Sequence, residues 1–121
     1  IILIKNMNWY SVVIKNYLGF DGRARRKEYW MYFLFNSLFL IIAMIIDRLL
    51  GLNFKDKPYG LFYMIYSLTT LLPSIAVAIR RMHDVGKSGW FLLIPIYNII
   101  LAITEGEKDT NEYGNNPKNN N

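Results

Sequence analysis

The side chains from which chemistry could be sought lie in two short runs. One is Phe20-Asp21-Gly22-Arg23-Ala24-Arg25-Arg26-Lys27-Glu28-Tyr29-Trp30, the other Arg80-Arg81-Met82-His83-Asp84-Val85-Gly86-Lys87-Ser88-Gly89-Trp90. His83 beside Asp84 is the place where acid–base catalysis would be looked for. A metal site there would need further ligands, and the chain has a single His and no Cys, which removes the usual nitrogen and sulfur donor sets. A general base would need a nucleophile or an orienting partner in reach, and Ser88 is near in sequence only. His83, Asp84 and Lys87 therefore read as a polar motif at a membrane interface, held by hydrogen bonds, with no catalytic residue and no metal assigned. Gly86-Lys87-Ser88 has the ending of a phosphate-binding loop, but that loop needs glycine at position 81, where Arg81 stands, and a strand before it. No cofactor is expected.

The arginines carry a different chemistry. Arg23, Arg25 and Arg26 in the first run and Arg80 and Arg81 in the second supply five guanidinium groups, whose planar forks match phosphate or carboxylate oxygens two at a time. The chain carries 14 Lys and Arg against 9 Asp and Glu, a net charge of +5. In a water-soluble domain that balance would suggest nucleic acid. Here the arginines abut long apolar runs, so the nearest anion is a lipid phosphate, and anionic lipid rather than nucleic acid is the expected partner. The absence of cysteine also excludes disulfides and thiolate chemistry.

The elements that must position these groups are apolar stretches separated by polar punctuation. Residues 59–79 hold no charge; at ~1.5 Å per residue they make a helix of ~31 Å, the thickness of a bilayer's hydrocarbon core. Residues 29–46 form a second such run, bracketed by Lys27-Glu28 and Asp47-Arg48, because a charge at the centre of a span costs about 2.5–3.5 kcal/mol. Pro73 should kink or unwind the 59–79 helix, its freed carbonyl being met by Thr69, Thr70 or a neighbouring helix. Ser74 and Ala78 permit close helix approach, and Asn36 and Ser37 read as packing contacts. Residues 8–20 alternate polar and apolar positions at helical spacing, with Trp9, Tyr10 and Lys15 suited to the headgroup level, and so read as an amphipathic interfacial helix. Residues 89–103 are apolar but only 15 long, with Pro95 inside, which fits either a short third span or a re-entrant hairpin.

Lys and Arg set the orientation. Six precede the first span, and Arg80, Arg81 and Lys87 follow the second, so the N-terminus and the 80–88 segment are expected in the cytoplasm and the 47–58 loop outside. The polar tail carries more acid than base, which favours the outside if the third stretch spans. Residues 1–6 are expected to be an upstream extension before Met7, residues 7–118 one membrane domain, and the Asn-rich residues 119–121 a disordered end.

The two runs above, taken with the tail motif Asp109-x-Asn111-x-Tyr113-Gly114-x-Asn116-Pro117, resemble the family known as domain of unknown function 805. The resemblance covers nearly the whole chain, from about Met7 to Lys118, and its second motif is quite specific. It implies a small bacterial inner-membrane protein with no assigned activity. Many members have a longer apolar run after the Gly-Trp than this chain has at Gly89-Trp90. Fold and partner expectations follow together: an all-α integral membrane protein with two firm transmembrane helices, non-enzymatic, binding anionic lipid or a membrane partner through Arg23, Arg25, Arg26, Arg80 and Arg81 crowded on one cytoplasmic patch. The alternative is a subunit of a homo-oligomeric channel or transporter, lined by Asn36, Thr69, Thr70 and the Pro73 kink. A pore requires those polar groups to converge on an oligomer axis, whereas a binder satisfies them within one chain.

Overall fold

The computed structural model describes residues 2–117, with the side chains of its first helix described from Met7 onward. Its regular elements are helical: α1 (Ile2–Lys15), α2 (Arg26–Leu50), α3 (Leu61–Thr69), α4 (Leu71–Asp84), a 3-10 turn (Gly89–Leu93) and α5 (Tyr97–Ile103). Residues 2–6, expected to precede the fold, carry helical backbone continuous with the rest of α1. The expected disordered residues 119–121 lie outside the described residues.

One helix, α2, is long and apolar enough by itself to cross a membrane, with 25 residues and a mean hydropathy of 2.0 over its best window. It ends where Gly51 adopts the left-handed region (φ 69°) and Leu52 donates back to the Asp47 carbonyl, the glycine serving as a helix stop that a Cβ would disfavour. The expected second span is two helices, α3 and α4, bent by 42° at Thr70. Proline explains the break. Pro73 has no N–H to offer the Thr69 carbonyl four residues back, and that carbonyl is met instead by the Tyr17 hydroxyl at 2.6 Å. The Thr70 hydroxyl turns back to the Tyr66 carbonyl, and Tyr32 reaches across from α2 to Ser74 Oγ at 2.7 Å. A neighbouring element thus supplies the donor that the proline removed.

A single carboxylate fixes the turn between α2 and α3. Asp47 is fully buried and accepts the N–H groups of Gly60, Phe62 and Tyr63 at 2.9, 2.9 and 3.1 Å, which satisfies donors that a helix start leaves open. Gly60 has to be glycine, since a Cβ there would sit 2.4 Å from the Leu52 carbonyl oxygen. The antiparallel pair is held closed at this end.

The first helix, expected at an interface, packs into the bundle. Val13 joins Ala24, Tyr32 and Val77 in the core, with Tyr10, Ile14, Tyr29 and Phe33 packed around them. Tyr10 stacks on Tyr32 with ring centroids 5.4 Å apart and shares a hydrogen bond with the Tyr66 hydroxyl.

After α4 the chain turns through Gly89–Leu93, reverses at Pro95 and Ile96 (φ 69°), and returns as α5. Its outgoing arm starts against Ile79, and its return arm finishes with Ala102 accepting hydrogen bonds from Trp30 Nε1 at 3.1 Å and Arg81 Nε at 3.2 Å. Both ends of residues 89–103 therefore lie at the Arg81 end of the bundle. The stretch thus doubles back on itself at Pro95 and Ile96 instead of running straight from Gly89 to Ile103. Helix α4 also runs on to Asp84, past the point where apolarity ends, so Arg80, Arg81, His83 and Asp84 stand on a helix and not in a loop.

Candidate functional site

The two runs singled out in the sequence meet at one carboxylate. Asp84, at the last turn of α4, takes Arg23 Nε on Oδ1 at 2.9 Å and Arg81 Nη1 on Oδ2 at 2.5 Å. Arg81 lies three residues earlier on the same helix, so helical spacing brings it to the same face. Arg23 arrives from the segment before α2, which is itself pinned by Ala24 N–H donating to the Arg80 carbonyl at 3.0 Å and by Arg81 Nη1 donating to the Ala24 carbonyl at 3.1 Å.

Two buried guanidinium groups against one carboxylate leave many donors to satisfy, and the tail satisfies them. Arg23 Nη1 donates to the carbonyls of Asp109 at 2.9 Å and Gly114 at 3.1 Å, and Nη2 to those of Asp84 and Glu107. Arg81 Nε and Nη2 donate to the carbonyls of Ala102 and Thr104 at the end of α5, where the last turn of a helix leaves carbonyls open and favours a cation. Residues 104–114 thus form a cage of carbonyl oxygens whose cation is the Arg23 guanidinium.

The tail motif builds that cage. Asn111 donates from Nδ2 to the His83 carbonyl at 2.9 Å and to Glu107 Oε1 at 2.8 Å, and accepts from the Tyr113 N–H at 2.8 Å. Asn111 and Gly114 exchange backbone hydrogen bonds, with Gly114 at φ 133°. Gly106 lies so close that a Cβ would be 1.9 Å from Asp84 Oδ2, so glycine is required for the tail to reach the carboxylate.

His83 and Asp84 do not form an acid–base pair. Both Asp84 oxygens are occupied by arginines, and His83 Nδ1 lies 2.9 Å from the Gly22 carbonyl. Because a carbonyl only accepts, Nδ1 carries the proton. The ring stacks flat on Tyr113 with centroids 3.9 Å apart. Desolvation, and then the hydrogen bond and charge of the neighbouring Glu112 carboxylate, hold the Tyr113 phenol above its ordinary range. Lys87 stands apart, its ammonium 5.8 Å from the Phe91 ring centroid. Among the described residues no group of three or more His, Asp or Glu could hold a metal.

The five arginines expected on one patch divide into two sets. Arg23, Arg80 and Arg81 are buried. Arg80 pairs with the buried Glu28 at 2.5 Å and donates from Nε to the Gly19 carbonyl at 2.9 Å. Glu28, Asp84 and backbone carbonyls meet most donors of these three side chains, while Arg80 Nη2 is buried with no hydrogen-bond partner among the described residues. Arg25 and Arg26 remain half-exposed. Arg26 Nη1 donates to the Ile103 carbonyl, and Arg25 lies over the Trp9 ring at 5.3 Å with Lys27 over the same ring at 5.8 Å. Sequence reasoning missed Glu28 and the tail carbonyls as partners; the Asp-x-Asn-x-Tyr-Gly spacing after Gly106 was the available signal.

The family profile described as Protein of unknown function (DUF805) matches residues 17–115, a span that contains both arginine runs and the whole carbonyl cage. The chain is 47% identical to Inner membrane protein YhaI of Escherichia coli (strain K12) over 119 residues, 93% of this chain and 97% of that protein. It is 40% identical to Inner membrane protein YhaH of the same strain over 119 residues, 93% and 98% of the two chains. Uncharacterized protein YiiR of that strain shares 30% over 85 residues, 69% of this chain and 54% of that protein. None of these names states an enzymatic activity. No solved structure matches the chain.

Removing the Asp84 carboxylate strands two buried guanidinium groups, a change that costs about 3–5 kcal/mol. Asp84→Ala should therefore lower the unfolding midpoint in detergent far more than His83→Gln, which keeps a hydrogen-bonding side chain. Equal, small shifts for the two variants would show that Asp84 does not hold this end together.

Proposed function

We propose, from the premise that this chain belongs to the DUF805 family, that it is a multi-pass bacterial inner-membrane protein that binds anionic lipid and catalyses nothing. In this reading α2 and the bent α3–α4 pair are two spans, and the N-terminus, the 80–88 segment and the tail lie in the cytoplasm. The positive-inside bias supports that orientation, and the names of YhaI and YhaH support the membrane.

The observation that carries the lipid reading is the convergence of Arg25 and Lys27 over one indole, Trp9. Neither cation forms an ion pair among the described residues, and Arg25 Nε is buried with no hydrogen-bond partner. They stand at the start of α2, which has no side-chain cap and so offers N–H groups and the positive end of a helix dipole. Two cations, a helix start and an interfacial tryptophan suit a phosphate at the headgroup level. The site is thus narrower than five arginines: Arg25 and Lys27 would hold the headgroup, with Arg26 at the margin, while Arg23, Arg80 and Arg81 serve the fold. A membrane-protein partner with an acidic juxtamembrane segment would be held by the same cations.

Polar groups near the α3–α4 break favour a binder over a pore. Thr69 Oγ1 donates to the Ile65 carbonyl at 2.7 Å and Thr70 Oγ1 to that of Tyr66 at 3.0 Å, each within one chain. Asn36 speaks for the channel or transporter reading, being buried with Oδ1 unpartnered.

Two measurements test these readings. Single cysteines replacing Asp21, Lys57 and Glu112 in this Cys-free chain should label from the cytoplasm, the outside and the cytoplasm; labelling at 112 from outside would overturn the placement of the tail. Attraction of about 1 kcal/mol per basic residue near an anionic surface is about fivefold in affinity. Arg25→Gln and Lys27→Gln should each reduce anionic lipid retained in native mass spectra by about that factor, with unchanged labelling. Retention equal to wild type in the double variant would remove the headgroup site.

A further inference from the structure

Along the last turns of α2 runs a groove of about 220 Å³ lined by Ile41, Met44, Ile45, Arg48 and Pro58. We propose that it holds a phospholipid of the outer leaflet, with the phosphate on Arg48 and one acyl chain along Ile45, Met44 and Ile41. The site rests on the membrane reading above and lies at the opposite end of α2 from the cations over Trp9.

Helix geometry gives the groove a direction. Ile41, Met44, Ile45 and Arg48 follow one another at three- and four-residue spacing, so they form one stripe on one face of α2. Arg48 stands in the last turn of the helix, and Pro58, from the segment that leads on to α3, walls the same groove. Arg48 is thus the lining residue nearest the connecting loop, and the one with a polar side chain. From Arg48 back to Ile41 is ~10 Å at ~1.5 Å per residue, within the ~15 Å of one leaflet's hydrocarbon. Ile41 and Ile45 are 52% and 54% exposed, which leaves the apolar part of the stripe open to a chain lying along it. A cation at the loop end and apolar surface beyond it match the order of groups in a phospholipid: phosphate first, then chain.

Charge separates this occupant from a bare hydrocarbon tail. Asp47, the acid next to Arg48, is fully buried and already accepts the N–H groups of Gly60, Phe62 and Tyr63. Arg48 forms no ion pair among the described residues. The connection that starts at Arg48 also carries Lys55 and Lys57, with Asp56 as its one acid. In the orientation above, that excess of cation lies outside, where the positive-inside bias disfavours it, so an external anion is what balances it. A guanidinium fork takes two phosphate oxygens at once. Free phosphate would leave the apolar stripe uncovered, and a neutral lipid would leave Arg48 without its anion; a phospholipid meets both.

The test uses the full chain in maltoside micelles, where the probe supplies the only phosphate. One probe is phosphatidylglycerol with a photoactivatable diazirine in its acyl chain; the other is diacylglycerol with the same chain. After illumination, adducts are mapped by peptide mass spectrometry. Phosphatidylglycerol should label residues 41–45 about fivefold more than diacylglycerol, the ratio for one basic residue near an anionic surface. Leu68 and Leu71, exposed and apolar but outside the groove, should take both probes alike. Arg48→Gln should erase the excess at 41–45, and Arg48→Lys, a point charge without the fork, should keep only part of it. Arg25→Gln/Lys27→Gln should leave it unchanged, so this site and the headgroup site over Trp9 are lost separately. Equal labelling of 41–45 by the two probes in the Arg48 chain overturns the proposal, as does an excess that survives Arg48→Gln. A disulfide-trapped dimer through Ile45→Cys also overturns it, by assigning the groove to a second copy. Adducts of neither probe at 41–45, Leu68 or Leu71 would instead overturn the membrane reading itself.

Discussion

Burial of Arg23 and Arg81 against one carboxylate, Asp84, is the constraint on which the rest of the basic end depends. A guanidinium group taken out of water must have its charge offset and its N–H donors matched, or the loss of hydration dominates. Asp84 offers two oxygens to two arginines, which leaves the remaining donors to the backbone. Carbonyl groups are the acceptors at hand, and an irregular tail exposes more of them in a small volume than a helix does. The tail therefore has to fold back over the end of α4, and α5 has to finish where its last carbonyls face Arg81. The hairpin follows from the same requirement, because its two ends are anchored to one end of the bundle.

A second carboxylate performs the matching service at the opposite end. Asp47 collects three backbone N–H groups at the start of α3, and so joins α2 to the bent pair across their short connection. Between the two ends the bundle relies on aromatic packing and on hydroxyl groups from Tyr17 and Tyr32 that repair the break at Pro73. Cations are sorted by this scheme. Arg23, Arg80 and Arg81 face carboxylates and backbone carbonyls inside the protein, whereas Arg25 and Lys27 lie over the Trp9 ring.

Much of this was legible in the residues. Apolar runs placed α2 and the α3–α4 pair, Pro73 located the break to within a few residues, and the two arginine runs marked the place where the chain comes together. What the runs concealed was the direction in which each arginine points. Arg25 and Arg26 are neighbours of Arg23, yet of the three only Arg23 reaches the Asp84 carboxylate, in a segment that the Ala24–Arg80 hydrogen bond holds against the end of α4. The continuation of α4 through Arg80 and Asp84 was hidden for a similar reason: charge was taken to end the buried helix, whereas Glu28 and Arg23 supply partners that no local pattern reveals. The carbonyl cage was the least visible element, since backbone oxygens have no sequence identity and only Gly106, Asn111 and Gly114 hint at the loop that presents them.

Native-state hydrogen exchange in detergent tests the central claim most directly. The Glu107 amide donates to the Asp84 carbonyl, and the Gly60, Phe62 and Tyr63 amides donate to the Asp47 carboxylate, so the two ends report separately. Arg23→Lys keeps a positive charge but removes the fork that organises the cage. The predicted result is loss of protection at Glu107, Asn111 and Gly114, with protection at Gly60, Phe62 and Tyr63 retained. Unchanged protection of the tail amides in Arg23→Lys would contradict the account, as it would show that the tail holds its place without the guanidinium at its centre.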